Sequence, residues 1–161
     1  MQQQSIHTHQ FENGLMLIVE EMPGLQSAAF SFLVPAGSIY DGSGKNGSAA
    51  MLADWITRGA GTRDSRELTA TLDNLGIAHS ESAGSENITF TAASVADRVT
   101  DGLEIFADVV LRPHFDEGQF EPVKLGAEQS LIAAEDDPQR KAMVELRKLS
   151  FSSPWGLSSD G

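Results

Sequence analysis

Four histidines, twenty-three acidic residues and no cysteine are the raw material for chemistry in this 161-residue chain. The histidines are His7, His9, His79 and His114. No two stand four apart, so no helix face can carry the paired imidazoles of a helical zinc site. His7-x-His9 would turn two rings to one side of a strand and could bind a metal ion, but a solvated N-terminal segment accounts for it more simply. The missing cysteines remove disulfide frameworks, thiolate metal sites and cysteine nucleophiles together. Gly42-Ser43-Gly44-Lys45-Asn46 invites a phosphate-loop reading and fails it. That pattern needs glycine where Ile39 stands and serine or threonine at Asn46. Glu135-Asp136-Asp137 lacks the alternating ligands of a calcium loop and reads as a turn with a helix cap. Serine, aspartate and histidine show no spacing that argues for a nucleophile triad.

Composition narrows the partners. Eleven basic against twenty-three acidic side chains give a net charge of −12 and a pI near 4.5. Nucleic acid or an anionic membrane would demand a basic face, so neither is expected. The chain is 40% hydrophobic and 21% charged, a globular balance, and no apolar run reaches membrane-spanning length. The start reads Met1-Gln-Gln-Gln-Ser5, without a basic region leading into an apolar one.

The elements that would position any site follow from local signals. Asn13-Gly14 suits a tight turn, and Leu15–Val19 predicts a buried strand after it. Ala28–Val34 predicts a second strand paired with the first, and residues 41–47 a glycine-rich loop. Ala49–Ile56 predicts a buried helix of small and apolar residues. Asp64 with Glu67 forms a capping box for a helix ending at Gly76, with Leu68, Leu72 and Leu75 on one face. Strands are expected near 77–82 and 87–93. A helix over 95–111 would bury Val95, Val99, Leu103, Phe106 and Val110 and leave an acidic stripe of Asp97, Asp101, Glu104 and Asp108. That stripe is either a docking face for a basic partner or an ordinary solvated face. Asp116 opens a helix toward Glu135, and Asp137-Pro138 opens another. The fold class is α+β, a mostly antiparallel sheet with helices packed on one face.

These elements and their punctuation resemble the N-terminal domain of the pitrilysin/insulinase family of zinc peptidases, which includes mitochondrial processing peptidase. The matching pieces are Asn13-Gly14-Leu15, Ala36-Gly37-Ser38-Ile39-Tyr40-Asp41, Lys45-Asn46-Gly47 and Gly59-Ala60-Gly61-Thr62-Arg63. They continue through Leu72-Asp73-Asn74-Leu75-Gly76, Leu111-Arg112-Pro113-His114-Phe115, Phe120-Glu121, Glu135-Asp136-Asp137-Pro138 and Ser153-Pro154-Trp155-Gly156. Each is weak alone; their order across residues 10–157 is specific.

The resemblance implies where a zinc site would lie. Active members carry His-x-x-Glu-His on the helix after the Asn-Gly loop, and a glutamate from a later helix completes the set. Laid on this chain, the motif falls on Ala50-Met51-Leu52-Ala53-Asp54, and the third ligand near Ser130, with Glu128 two residues away. Ala50, Ala53, Asp54 and Ser130 are therefore degenerate positions. The resemblance implies no catalytic, metal or cofactor-binding residue in this chain, with zinc expected on an active partner. It implies a non-catalytic subunit or half that joins an active homologue, or a second domain, to bind and enclose peptide. A second copy of the chain is another candidate partner. A core-type scaffold subunit is the alternative, and a zinc-dependent metalloendopeptidase is what the family alone would suggest. Residues 1–161 are expected to be most of one domain of a longer two-domain chain, with 150–161 a loop at the cut and a strand missing from one sheet edge. A bacterial cytoplasmic location is favoured; periplasm and mitochondrion stay open.

Overall fold

In the computed structural model, which describes residues 5–161, Asn13 and Gly14 make the turn their types predict. Gly14 takes φ +87°, a region closed to most side chains, and the Asn13 side chain accepts from Leu15 N at 3.1 Å. The turn joins β1 (Ser5–Gln10) to β2 (Met16–Glu21) as an antiparallel hairpin. The 5–10 segment is solvated as expected, and it is a strand, which places His7 and His9 on one side of it. One expectation changes: the apolar run is a strand from Met16 but not a buried one, because among the described residues the hairpin pairs only with itself and leaves Met16 and Ile18 about 60% exposed.

β3 (Ser27–Val34) does not pair with β2. It joins β7 (Ile88–Val95), which also pairs with β6 (Ala78–Ala83), giving an antiparallel sheet in the order β3-β7-β6. Alternation explains the choice. Ile88, Phe90 and Ala92 of β7 are buried, and Phe30, Phe32 and Val34 of β3 line the same face. A central strand between two neighbours gives that apolar row its fullest cover.

The helices cover this face. α1 (Ser48–Trp55) packs on β6. Its start is held by Asp41, whose carboxylate accepts from Gly47 N and Ala49 N at 2.9 and 3.0 Å. An acid already satisfies this helix N-terminus, which further opposes a phosphate loop. A short ribbon, β4 (Gly59–Ala60) with β5 (Arg63–Asp64), leads into α2 (Ser65–Leu75). The capping box is complete: Asp64 accepts from Glu67 N at 2.8 Å and Asp64 N donates to Glu67 at 3.0 Å. Leu68 and Leu72 are buried beneath it.

α3 (Val99–Leu111) corrects the predicted stripe. Val95 ends β7 and a 3₁₀ turn spans Ala96–Arg98 before α3 begins. The buried face is Gly102, Ile105, Phe106 and Val109, while Leu103 is exposed. Without a Cβ, Gly102 lets the Phe30 ring and Ile77 close on the helix; a methyl there would meet them at 3.1 and 3.3 Å. Phe106 is buried and meets Phe30 edge-on at 5.6 Å between centroids. α4 (Phe120–Glu135) follows a 3₁₀ turn, and α5 (Pro138–Ser150) starts at Asp137, which accepts from Gln139 N and Arg140 N. The architecture is α+β, with helices on one face of an antiparallel sheet.

Candidate functional site

α1 carries the positions of interest. With 3.6 residues per turn, Ala50, Ala53 and Asp54 fall on adjoining faces of one helix. Ala53 is 4% exposed and belongs to the main core cluster; Ala50 is half-buried. Asp54 is engaged by the turn that follows its helix. Arg58 donates Nε to one carboxylate oxygen at 2.9 Å and an Nη2 hydrogen to the other at 3.0 Å. Both side chains are a little over one-third exposed, so water screens the pair. Asp54→Asn is accordingly expected to lower stability by no more than about 0.5 kcal/mol, measured by urea unfolding.

Trp55, next along α1, fixes the approach of α4. Its Nε1 donates to Asp116 O at 3.1 Å, and its ring meets Phe115 and Phe120 at 5.3 and 5.1 Å. Farther along α4, Ser130 and Glu128 are exposed, and Glu128 stands 3.9 Å from Lys124. Two methyl groups, one carboxylate committed to an arginine and one exposed hydroxyl do not fit a zinc ion, which takes imidazole, thiolate or free carboxylate ligands. Among the described residues, no group of three or more His, Asp or Glu is placed to hold a metal.

The remaining candidates resolve into structure. His7 and His9 are exposed, His7 sharing a hydrogen bond with Ser5 at 3.0 Å and His9 lying edge-on to Phe11. The acidic stripe divides. Asp108 turns inward, 16% exposed, and accepts from Arg63 at 3.4 Å and from Arg112, while Asp101 pairs with Arg98. Only Asp97 and Glu104 remain as plain solvated acids. His114 Nε2 shares a hydrogen bond with Gly61 O at 2.9 Å, tying the end of α3 to the β4–β5 ribbon. Lys141, 2.6 Å from Glu135, holds that exposed carboxyl below its ordinary value by hydrogen bond and charge.

One grouping was not singled out by the sequence reading. His79 and Glu81, two apart on β6, share the helix-facing side and stand 3.8 Å apart, Nδ1 to Oε2. With Asp54 and Arg58 they rim a cavity of about 210 Å³ between α1, α2, β6 and α3. Burial pushes the Glu81 carboxyl above its ordinary value; His79 opposes the rise, Asp54 adds to it and Arg58 opposes it. The available signals were the i, i+4 spacing of Asp54 and Arg58 and the i, i+2 spacing of His79 and Glu81. Nothing local says that α1 and β6 bring the pairs together.

The class these features define is an α+β domain built on an antiparallel sheet. The family model for insulinase (peptidase family M16) matches residues 16–152, and the chain belongs to that family. Relatives include an uncharacterized zinc protease of Rickettsia bellii, 24% identical over 84% of this chain and 33% of its own length. Another is an uncharacterized zinc protease of Bacillus subtilis, 23% identical over 88% of this chain and 35% of its own. The mitochondrial-processing peptidase subunit beta of Saccharomyces cerevisiae is 25% identical over 86% of this chain and 29% of its own. Among solved structures, a peptidase M16 inactive domain from Pseudomonas fluorescens superposes with a TM-score of 0.84 at 22% identity, covering 98% of this chain and 39% of that one. The chain thus spans about a third of the length of its relatives.

Proposed function

We propose that this chain is a non-catalytic peptidase-like half or subunit, which pairs with an active, zinc-bearing homologue to bind and enclose peptide. The observation that carries the reading is the donor set on α1. Ala50 and Ala53 offer only methyl groups, and Asp54 is held by Arg58. Membership of a peptidase family that includes a processing-peptidase subunit supports a paired arrangement. Residues Ala50, Ala53, Asp54 and Ser130 are read as the positions where active members keep ligands and base. The span of about a third of its relatives supports reading residues 1–161 as most of one domain of a longer two-domain chain. The apolar β1–β2 hairpin, bonded only to itself among the described residues, supports it too. The bacterial relatives support a bacterial setting, in which we place the chain in the cytoplasm.

The test is to purify the chain, incubate it with zinc, remove unbound metal and measure what stays, alongside cleavage of an unstructured fluorogenic peptide. The expected result is far less than one zinc per chain and no cleavage above background. Cleavage should appear on mixing with a zinc-bearing homologue and exceed what that homologue gives alone. Stoichiometric zinc or turnover by the isolated chain would overturn the proposal.

A further inference from the structure

Asparagine followed by glycine occurs twice in this chain, at Asn13-Gly14 and at Asn46-Gly47. Such a pair can cyclise without an enzyme. The next backbone nitrogen closes a five-membered ring on the side-chain carbonyl, and glycine puts no side chain in its way. The structure gives the two pairs opposite settings. Every residue from Ile6 to Glu21 is exposed, and a methyl placed on Gly14 would meet nothing within 4 Å. Asn13 Oδ1 accepts from Leu15 N at 3.1 Å. That contact turns the side-chain amide back toward the Gly14 peptide and sets a donor on the oxygen that takes charge during attack. Gly14 N donates to Phe11 O at 2.9 Å, inside the same turn. Freeing it needs only the β1–β2 hairpin to open, and among the described residues those strands pair only with each other. A two-stranded hairpin exposed on both faces opens locally at small cost.

Gly47 is the reverse case. It is buried, and its N–H donates to the Asp41 carboxylate at 2.9 Å. A negative charge there disfavours the amide anion that attack requires. Releasing this nitrogen also breaks the Asp41 cap of α1, the helix packed on β6. The remaining asparagines are followed by bulk: Asn74 precedes Leu75 within α2, and Asn87 precedes the buried, branched Ile88 of β7.

We propose that Asn13 is a self-modifying site, which the native chain converts to aspartate and isoaspartate while Asn46 is preserved. Gly14 N gives up its proton and bonds to Asn13 Cγ. The Cγ–Nδ2 bond breaks, and Nδ2 leaves as ammonia with a proton in place of the one lost. Water then opens the succinimide. Cleavage at Cγ gives aspartate; cleavage at the Asn13 backbone carbonyl gives isoaspartate, whose chain runs from Cα through Cβ and Cγ. The sum is one water consumed and one ammonia released, with nothing oxidised or reduced. Either product adds a negative charge to the hairpin. Isoaspartate also adds a backbone atom to the turn that sets Gln10 opposite Met16, so the turn no longer matches the register of the strands. The proposal stands apart from the non-catalytic reading, because it involves no zinc and no partner.

The experiment holds the 161-residue chain in mildly alkaline buffer, which favours loss of the amide proton, beside the same chain unfolded in urea. Samples are taken over time. Trypsin cuts after Lys45 and leaves the two asparagines in separate peptides, residues 1–45 and 46–58. Mass spectrometry measures the deamidated share of each, and electron-transfer fragmentation assigns position 13 and separates aspartate from isoaspartate. In the native chain, Asn13 should convert at least about tenfold faster than Asn46, a barrier difference of about 1.4 kcal/mol. In urea, where both pairs lose their settings, the two rates should agree within about threefold. Amide hydrogen exchange of the native chain reads the cause: Gly14 N–H should exchange at least about tenfold faster than Gly47 N–H. Equal native rates at the two sites, equal protection of the two amides, or an Asn13 that converts only in urea would overturn the proposal. Every reading is made on the unaltered chain, so no variant has to fold.

Discussion

Ala53→Glu is expected to destabilise the chain by about 3–5 kcal/mol at pH 7, and by clearly less at pH 4. This position falls where active relatives are read to carry the general base. In this chain it is 4% exposed and belongs to the same apolar cluster as Leu68, Leu72 and Phe106. A carboxylate placed there loses its water, and the neighbouring arginine, Arg58, is already committed to Asp54. Glutamate also adds several heavy atoms to a site that holds a methyl group, so overpacking adds to the cost. The sign with pH is fixed by the desolvation. Burial raises the carboxyl's folded-state value above its ordinary one, so the folded chain binds more protons than the unfolded chain between the two. Stability then falls as pH rises through that interval and levels off above it. Urea unfolding at the two pH values measures the difference. A variant as stable as the parent at pH 7 would mean that position 53 opens onto water, and that the α1 face has room for a catalytic base after all.

That comparison shows what the sequence made legible at the site. Residue types alone showed that no histidine lies between residues 10 and 78, and helical spacing put Ala50 and Asp54 together. The fate of Asp54 was partly visible, since Arg58 stands one turn on, the favourable order for an acid and a base on a helix. The charged cavity was not visible, because it forms where α1 crosses β6, and no local signal fixes that crossing. The fold divides the same way. α2 and α5 are written in their caps, Asp64 with Glu67 and Asp137 with Pro138, each a contact within four residues. Sheet order is written nowhere locally. Consecutive strands usually neighbour each other, which favoured pairing β2 with β3. Instead β3 reaches β7, with Ser27 opposite Val95, because the two apolar rows share one face under the helices. The buried stripe of α3 was misplaced for a different reason. Its first member is Gly102, which no hydrophobic pattern counts, yet the absent side chain is what admits Phe30.

Phe106→Ala should cost about 3–5 kcal/mol and lower the melting temperature by about 10 °C. Three strands converge on this ring. Phe30 of β3 meets it edge-on at 5.6 Å, Phe90 of β7 lies at 6.4 Å, and His79 of β6 at 6.0 Å. The ring is 1% exposed, so its removal deletes the whole transfer energy and leaves a hole lined by rigid neighbours. The backbone cannot close that hole cheaply. Gly102 already brings α3 as near to Phe30 as the backbone allows, and β7 is held between β3 and β6 by both ladders. Collapse would have to break one of these. Leu111, one helical turn and a residue beyond, is 76% exposed, and Leu111→Ala should change stability by less than about 0.5 kcal/mol. Thermal and urea unfolding of the two variants side by side provide the check. A Phe106→Ala loss as small as that of Leu111→Ala would mean that α3 is not seated on the sheet as described. The effect should also reach the cavity, because Phe106 is part of its floor and the ring against which His79 packs. Losing the ring frees His79 and opens the floor to water. The Glu81 carboxyl is held high by burial before any other cause, so its titration midpoint should then fall toward its ordinary value, even in the fraction of the variant that remains folded.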